Sequence, residues 1–402
     1  MMSEPIKLAL VGCGGISGDH VGGYKELFEK GCRDFEVAAC VDVNVQAAEK
    51  RAQEIAAYQA TRPAVFTDVE AFIEAGVAEA ADVCVPHCFH HLVGLPLLEA
   101  GLHVMIEKPI GITIKATKQI IAAAEANDRV LATGENIRRY LTARACTWAI
   151  REQGLIGDVR MVTVQMIAHR PFDYSRYATK WRGLKLLTGG GMIMDSGAHF
   201  GDMIQVLFGE PEEVWCDMAS YDQRIIDDAP VIGSAPADVE DTWHAVIRFK
   251  DGPPVTWTYS RELYGELAQQ ATYYGSKGTL YDLGFPFHPF QGGGKAVLAD
   301  GSEVSSEQIQ STYLATLTES ERERLFPYGV TDGFAIEVWD FVDAIAQGRK
   351  PEMDGTDGLR AKALCESCYE SATLGEPVRF DEVLSGEIDG YQQPIDAFWE
   401  LA

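Results

Sequence analysis

The sequence lacks two features that would assign it to broad classes of protein: a long apolar run and an excess of positive charge. No uninterrupted apolar stretch reaches the about 18 residues that a membrane-spanning helix needs, so we expect no membrane partner. Lys and Arg total 34 against 60 Asp and Glu, which gives a formal net charge of −26. Because nucleic acids and anionic lipid surfaces bind cationic proteins, we expect neither as a partner.

Signals for export and for disulfide formation are also missing. Residues 1–7 lack a basic start, and the apolar run 8–11 is too short for the core of a signal peptide, so the cytoplasm is the expected location. Nine cysteines, an odd number, are scattered through apolar segments, as is typical of reduced thiols. Cys365 and Cys368 have the spacing of a redox pair, but they lie in a helix-like segment and are predicted to be core thiols.

What is present is an ordinary amount of apolar sequence in two successive patterns. At about 150 residues per domain, a chain of 402 residues suggests two domains. Up to residue 135, short apolar runs alternate with helical patterns, which predicts βαβ units and a doubly wound parallel sheet of the α/β class. The predicted strands are 6–11, 36–41, 82–85, 102–106 and 130–133, and the predicted helices are 47–57, 69–75, 92–100 and 114–126.

From residue 136 the pattern predicts an α+β domain with a large, mainly antiparallel open sheet. Turn signals such as Lys250-Asp251-Gly252 separate several of its predicted strands. Residues 284–330 are rich in Gly, Pro and Ser and are predicted to be an insertion or a long loop. The predicted helix is 142–153, and the predicted strands are 160–167, 213–218, 242–249, 255–259, 271–274 and 279–281.

A glycine-rich sequence directly follows the first predicted strand and matches G-x-G-x-x-G with Ser in the last position. Gly12 allows a tight turn, and Gly14 lets the backbone approach a pyrophosphate at a helix N-terminus. Glycine-rich strand ends are common, but this one lies between a predicted strand and a predicted helix. We therefore predict a dinucleotide site that includes Gly12, Gly14, Gly15, Ile16 and Ser17.

Asp42 ends the second predicted strand. An acid at this position can accept hydrogen bonds from both ribose hydroxyls of NAD, and its charge repels the extra phosphate of NADP. The alternative is a solvated loop acid or a helix N-cap. Together with the glycines, Asp42 predicts NAD as the cofactor in preference to NADP.

Several short motifs narrow this dinucleotide fold further. They are Pro86-His87-Cys88-Phe89-His90, then Gly101-Leu102-His103-Val104 leading into Glu107-Lys108-Pro109, and later Trp181-Arg182, Gly189–Gly191 and Asp195-Ser196-Gly197-Ala198-His199. Over almost the whole chain the combination resembles the glucose-fructose oxidoreductase / inositol dehydrogenase / rhizopine-catabolism (Gfo/Idh/MocA) family. The resemblance implies an NAD-binding Rossmann domain at residues 1–135 and a substrate-binding and oligomerisation domain at residues 136–402, in a homodimer or homotetramer.

The resemblance also implies the catalytic groups. Lys108, at the carboxyl end of a parallel strand, would stabilise the oxyanion that develops on the substrate hydroxyl. His199 would act as the acid/base, and Asp195 would orient the substrate and set the basicity of the histidine. Because Asp195 and His199 are four residues apart, a helix would place them on one face. The alternatives are a surface lysine and a structural histidine.

The loop after the third predicted strand is implied to contact the cofactor. His90 matches a family histidine, whereas His87 replaces the usual Asn. The implied contacts are Pro86, His87, His90, Glu107 and Lys108. The thiols and imidazoles at positions 84, 87, 88, 90 and 91 also suggest zinc. However, Cys84 lies inside an apolar strand and the loop coincides with the family's cofactor segment, so we predict no metal.

A basic and aromatic segment at residues 169–182 is exceptional in this acidic chain. Aromatic faces suit sugar rings, and Arg suits carboxylate, sulfonate or phosphate groups, which motivates the hypothesis of an anionic or decorated sugar. The alternative is a structural loop whose arginines pair with the acids of the protein. Besides the catalytic groups Lys108, Asp195 and His199, the candidate substrate contacts are Arg138, Arg170, Arg176 and Trp181.

These observations lead to the hypothesis of an NAD-dependent dehydrogenase for a ring secondary alcohol of a sugar, a sugar derivative or a cyclic polyol. An NAD-dependent glycoside hydrolase, acting by transient ring oxidation, elimination, hydration and re-reduction, needs the same hydride site and stays open as an alternative. A non-enzymatic NAD-dependent sensor is a third possibility. The intact set of Lys108, Asp195 and His199 argues against it.

Overall fold

The computed structural model describes residues 4–401, which form two compact units. The first comprises the chain up to Arg139 together with Glu319–Gly358, and the second comprises Tyr140–Thr318 together with the chain from Leu359 onward. The division predicted at residue 135 lies close to the first crossing between them. It places residues 319–358 with the second domain, whereas the structure groups them with the first unit, because a returning segment leaves no break in the sequence pattern.

The first unit contains a six-stranded sheet in which every neighbouring pair of strands is parallel. The strands are β1 (Ile6–Val11), β2 (Phe35–Val41), β3 (Ala64–Phe66), β4 (Ala80–Val83), β5 (His103–Glu107) and β6 (Leu131–Gly134), and the helices between them are α1 (Ser17–Glu29), α2 (Val45–Ala56), α3 (Val69–Ala75), α4 (His90–Glu99) and α5 (Ile114–Ala126). The order β3-β2-β1-β4-β5-β6 is that of a doubly wound dinucleotide-binding sheet. The predicted parallel sheet is confirmed.

This sheet forms because its strands are apolar and are covered by helices on both faces. Val11, Val41, Val83 and Ile106 are at most 2% exposed and share one core with Leu97 of α4. β1, β2, β4 and β5 pair in parallel. The carboxyl ends of β1, β2, β4 and β5 therefore meet at one edge of the sheet.

The remaining elements follow in chain order. They are α6 (Leu141–Arg151), β7 (Val159–Ile167), α7 (Tyr177–Lys180), α8 (Lys185–Thr188), α9 (Met192–Asp195), α10 (Gly197–Phe208), β8 (Pro211–Ala219), β9 (Ile225–Ala229), β10 (Gly233–Pro236), β11 (Thr242–Phe249), β12 (Val255–Ser260), β13 (Ala268–Gly275), β14 (Gly278–Asp282), β15 (Gly294–Leu298), β16 (Glu303–Val304), α11 (Ser306–Thr316), α12 (Glu319–Leu325), α13 (Gly333–Gln347), α14 (Gly355–Leu374), β17 (Val378–Arg379), α15 (Phe380–Ser385) and α16 (Gln393–Phe398). Of these, α12 and α13 belong to the first unit, where α13 packs against α1.

The second unit contains a nine-stranded sheet in the order β16-β15-β14-β13-β7-β12-β11-β8-β17. The pair β7–β12 is parallel, and the other neighbours are antiparallel. Along β11, Trp243, Ala245 and Ile247 are buried while His244 and Arg248 are exposed, which is the alternation of a sheet with one covered face. The predicted α+β architecture with a mainly antiparallel sheet is confirmed.

Of the two alternatives predicted for residues 284–330, an insertion or a long loop, the long loop is wrong, because β15, β16, α11 and α12 lie within them. The Gly, Pro and Ser residues separate short elements here. Gly294 packs so tightly that an added Cβ would lie 2.9 Å from Sγ of Cys146. Ser305 and Gln308 form a capping box that starts α11. No helix within residues 4–401 is both long and apolar enough to cross a membrane.

Candidate active site

The glycine-rich loop connects β1 to α1 at the carboxyl edge of the parallel sheet. At Gly12, which has a φ of +90°, an added Cβ would lie 2.7 Å from the carbonyl of Cys84, so only glycine fits this turn. At Gly14 and Gly15, by contrast, an added Cβ would meet nothing within 4 Å. The hydroxyl of Ser17 donates to the carbonyl oxygen of Gly14 at 2.8 Å and tightens the loop. The outer side of the loop is thus open to a ligand, which fits a dinucleotide.

Asp42 directly follows β2 and lies beside this loop. Its Oδ2 accepts a hydrogen bond from the backbone N–H of Cys13 at 2.7 Å, and its Oδ1 accepts one from that of Asn44 at 2.7 Å. The carboxylate is therefore fixed next to the glycines. This is the placement that a ribose-binding acid requires, so the residues present fit NAD.

Arg51, on α2, is a neighbour of the loop that sequence reasoning missed. Its Nη2 donates to the carbonyl oxygen of Gly14 at 2.8 Å, and its Nε donates to Oγ of Ser17 at 3.0 Å. Glu54 pairs with the same guanidinium at 2.6 Å. No local motif marks this arginine, because its partners come from an earlier segment of the chain.

The loop after β4 carries three of the residues predicted to contact the cofactor. Pro86 is partly exposed and His87 is buried, at the start of a short turn of 3₁₀ helix. His90 is fully buried, with Nδ1 2.9 Å from the carbonyl oxygen of Pro109 and Nε2 2.9 Å from that of Val85. Both ring nitrogens of His90 therefore contact backbone carbonyl groups, which links the loop after β4 to the segment after β5. A cofactor contact by Pro86, His87 or His90 stays a prediction.

Glu107 and Lys108 lie at the end of β5 and differ in environment. Glu107 is buried, and its Oε1 lies 2.9 Å from Nε2 of His20 on α1. Lys108 is partly exposed, and its backbone N–H donates to the carbonyl oxygen of Gly134 at 3.3 Å. The structure thus places the lysine at the same sheet edge as the glycine loop and Asp42. His20 was not anticipated from the sequence.

Asp195 and His199 lie in two successive helices, and that their side chains share one face stays a prediction. Asp195 is the last residue of α9, whereas His199 lies in the first turn of α10. Ser196 alone separates the two helices, and its φ of −84° and ψ of −23° lie in the right-handed helical region. An added Cβ at Gly197, the first residue of α10, would lie 2.6 Å from the ring of Trp257.

Each of the two residues has a partner in the second unit. Asp195 forms an ion pair with Arg182, whose guanidinium lies 4.6 Å from the ring centroid of Trp181. His199 is 7% exposed, and its ring meets that of His288 edge-to-face at 4.7 Å between centroids. Arg182 belongs to the Trp181-Arg182 motif, but no role was assigned to it from the sequence. No feature of the sequence indicated His288.

The candidate substrate contacts have different surroundings. Arg138 donates through Nη1 to the carbonyl oxygen of Glu352 at 3.1 Å. Arg170 and Arg176 are exposed. Trp181 is buried, and its indole N–H donates to the carbonyl oxygen of Ala178 at 2.9 Å. Their contact with a substrate stays a prediction.

The cysteines are core residues. All nine are buried and none forms a disulfide, and Cys365 and Cys368 lie inside α14, so the prediction of core thiols is confirmed. Among the described residues, the groups of three whose potential ligand atoms lie within 4.8 Å of one another are His20 with Asp82 and Cys84, and His20 with Glu107 and Glu337. The cysteines and histidines of positions 84–91 do not form such a group by themselves.

Comparisons with known proteins agree with this architecture. The family model described as "Oxidoreductase family, NAD-binding Rossmann fold" matches residues 6–135, and "Oxidoreductase family, C-terminal alpha/beta domain" matches residues 151–380. The chain is 26% identical to the D-glucoside 3-dehydrogenase of Escherichia coli K12 over 260 residues, which are 63% of this chain and 69% of the relative. It is 23% identical to the inositol 2-dehydrogenase of Pseudarthrobacter chlorophenolicus over 379 residues, 94% of this chain and 96% of the relative.

A solved structure shows the same fold. The WlbA dehydrogenase from Bordetella pertussis, in complex with NADH and UDP-GlcNAcA, matches with a TM-score of 0.70 at 23% identity, covering 93% of this chain and 98% of that one. Both family models together cover most of the chain, including the glycine loop, Asp42 and Lys108 in the first match and Asp195 and His199 in the second. The protein is therefore an NAD-binding oxidoreductase of the Gfo/Idh/MocA family.

Proposed function

We propose that the protein is an NAD-dependent dehydrogenase that interconverts a ring secondary alcohol and the corresponding ketone. The position of Lys108 carries this proposal. It follows β5 at the edge of the parallel sheet where the glycine loop follows β1 and Asp42 follows β2. An ammonium group at the dinucleotide edge is suited to hold a substrate oxygen whose carbon exchanges hydride.

We assign the following tasks to the residues. Bound NAD would supply the hydride acceptor, and its reduced form the donor. The Lys108 ammonium donates a hydrogen bond to the substrate oxygen and stabilises the negative charge that develops there. His199 accepts the hydroxyl proton at a ring nitrogen and returns it in the reverse direction. Asp195, held by Arg182, binds and orients the substrate.

We propose a sugar, a sugar derivative or a cyclic polyol as the substrate. The names of two relatives, a D-glucoside 3-dehydrogenase and an inositol 2-dehydrogenase, support a ring alcohol. Arg138, Arg170, Arg176 and Trp181 are the proposed further substrate contacts. The WlbA dehydrogenase was crystallised with an acidic sugar nucleotide, which is consistent with an anionic substituent near such arginines.

Turnover tests this function. The purified protein is incubated with NAD or NADP and with pyranosides, inositols, sugar acids and aryl glycosides, while reduced cofactor and products are followed in parallel. We expect one class to give reduced NAD and a ketone in equal amounts. Release of the aglycone without net reduction of NAD would instead identify the glycoside hydrolase. Absence of turnover with every class contradicts the proposal.

Two further proposals concern the state of the protein in the cell. We propose a homodimer or homotetramer in the cytoplasm, as the family resemblance implies. Light scattering coupled to size-exclusion chromatography determines the assembly, and a monomer of the 44.1 kDa chain contradicts it. Fractionation of the source cells tests the location.

A further inference from the structure

Glu240 is a buried acid that connects three segments of the second unit. It lies two residues before β11 and is only 4% exposed. Its Oε2 accepts a hydrogen bond from the backbone N–H of Gly191 at 2.7 Å, and its Oε1 accepts one from that of Ile193 at 2.9 Å. The hydroxyl of Tyr369 on α14 donates to the same Oε1 at 3.0 Å. Each of these bonds lies in the interior, where an unmade bond is costly.

The two amides belong to the first turn of α9. The N–H groups at a helix start have no partner within the helix, and a capping side chain normally accepts from them. Gly191 occupies the N-cap of α9 and has no side chain. The Glu240 carboxylate, from a distant segment, takes over that task with charge-assisted hydrogen bonds.

The close approach of Glu240 and Tyr369 also explains why glycine occupies positions 190 and 191, in the loop 189–191 before α9. An added Cβ at Gly191 would lie 2.6 Å from the carbonyl oxygen of Glu240 and 2.8 Å from its Oε2. An added Cβ at Gly190 would overlap the ring of Tyr369. The loop thus lies so close to Glu240 and Tyr369 that side chains at these two positions would displace it.

The segment that follows this loop contains two of the residues assigned to the reaction. Helix α9 is a single turn that ends at Asp195, and α10 begins at Gly197 with His199 in its first turn. A shift at the start of α9 is therefore transmitted over four residues to Asp195 and then to His199.

We propose that Glu240 is a positioning residue that sets the locations of Asp195 and His199 by anchoring the start of α9. This inference rests on the proposed function, because it assigns those two residues to the reaction. It goes beyond that function by naming a residue whose effect on the reaction is indirect. Glu240 acts through the amides of Gly191 and Ile193.

The test compares Glu240→Gln with Glu370→Gln. The glutamine keeps the shape of Glu240 but must direct an NH₂ group at one of the donors. Glu370 is a matched control, since it is a buried acid of α14 that accepts from the backbone N–H of Tyr391 at 2.9 Å and lies outside the loop. The measurements are kcat, KM for the alcohol, NADH affinity by fluorescence, melting temperature, and amide exchange of peptides within residues 189–200.

We expect Glu240→Gln to lower kcat by about 10- to 100-fold, because small displacements of reacting groups have effects of that size. NADH affinity should stay unchanged, and amide exchange in residues 189–200 should accelerate. Glu370→Gln should leave kcat and this exchange near wild type, even with a comparable loss in melting temperature. If Glu240→Gln does not fold, Tyr369→Phe removes one of the three hydrogen bonds and should give a smaller change in the same direction.

Three results would overturn the proposal. They are unchanged exchange in residues 189–200, unchanged kcat despite faster exchange, and equal losses of kcat in both variants at equal loss of stability. Failure of the proposed function is distinguishable from these, since a wild-type protein that turns over no alcohol contradicts that function while amide exchange still reports whether Glu240 anchors the loop.

Discussion

Nε2 of His20 lies 2.9 Å from Oε1 of Glu107, the residue that immediately precedes Lys108. The other ring nitrogen lies 2.8 Å from Oδ2 of Asp82, and His20 is fully buried. Burial disfavours the charged imidazolium, but Asp82 and Cys84 together outweigh it and raise the pKa of His20 well above its usual value. A charged histidine between two acids thus links α1, β4 and β5 behind the proposed active lysine.

Replacing His20 with Ala should destabilise the first unit strongly. Removing one partner from a buried ionic group leaves the other charges unpaired, at a cost of about 3–5 kcal/mol. The measurement is the free energy of unfolding by urea titration at neutral pH. His244→Ala, at an exposed histidine of β11, is the control and should change the stability little. A His20→Ala protein as stable as this control would show that the two acids do not depend on the imidazolium.

How much the sequence predicts depends on how local the signal is. The glycine loop and Asp42 were found because a strand end, a turn and a helix start lie within a few consecutive residues. Arg51 and His20 were missed because their partners come from separate segments. Glu337, which lies 3.7 Å from Nε2 of His20, comes from residues 319–358 that return to the first unit. No periodicity indicates such a return.

In the second unit, too, the sequence pattern failed to predict the arrangement of neighbouring segments. The spacing of Asp195 and His199 predicts one helix, but it does not report that Ser196 divides the segment into α9 and α10. Glu240 is one of 60 acids in the chain, and only the fold shows that its carboxylate meets the amides of α9. Buried polar partners are set by tertiary contacts, which a single sequence does not report.

Asp42→Ala should weaken the preference for NAD over NADP. The variant loses an acceptor for ribose hydroxyls and the charge that repels a 2′-phosphate. We expect kcat/KM with NAD to fall by about 10- to 100-fold, as for the loss of a charged hydrogen bond, with a smaller change for NADP. Asp68→Ala is the control, since Asp68 caps α3 by accepting from the N–H of Ala71 at 2.7 Å. An unchanged ratio of the two kcat/KM values would refute the assignment of Asp42.

Arg170→Ala and Arg176→Ala test whether the substrate is anionic. Both side chains are exposed in the basic and aromatic segment. If one of them contacts an acidic substituent, its removal should raise KM for the acidic substrate by about tenfold and leave neutral analogues unaffected. Steady-state kinetics with a paired sugar acid and neutral sugar measure this. Unchanged KM values in both variants would assign the segment a structural role.

Glu240 should also affect how stability depends on pH. Burial raises the pKa of its carboxyl to about 6 from the usual 4.5. The folded state then holds a proton that the unfolded state has lost, so the stability contributed by this group decreases as the pH rises from about 4.5 to 6, by about 2 kcal/mol in total.

A Glu240→Gln variant should lack that decrease, because glutamine does not titrate. Unfolding titrations at several pH values between 4 and 7 measure the difference between the two proteins. The comparison is needed because Glu366 on α14, whose pKa burial raises to about 7, titrates in an overlapping range in both. Parallel stability profiles for wild type and variant would mean that Glu240 has the same proton affinity in the folded and unfolded states.

Lys108→Met and His199→Asn should each lower kcat, and His199→Asn should also preserve NADH affinity, since only Lys108 is among the predicted cofactor contacts. Loss of the oxyanion donor or of the general base typically lowers kcat by about 100- to 10,000-fold. Since both groups are proposed to act on one hydroxyl, the double variant should be far less impaired than the product of the single effects. Lys115→Met and His244→Asn are the controls. Full activity in His199→Asn would remove the histidine from the mechanism, and strictly multiplicative effects would mean that the two residues do not share a substrate atom.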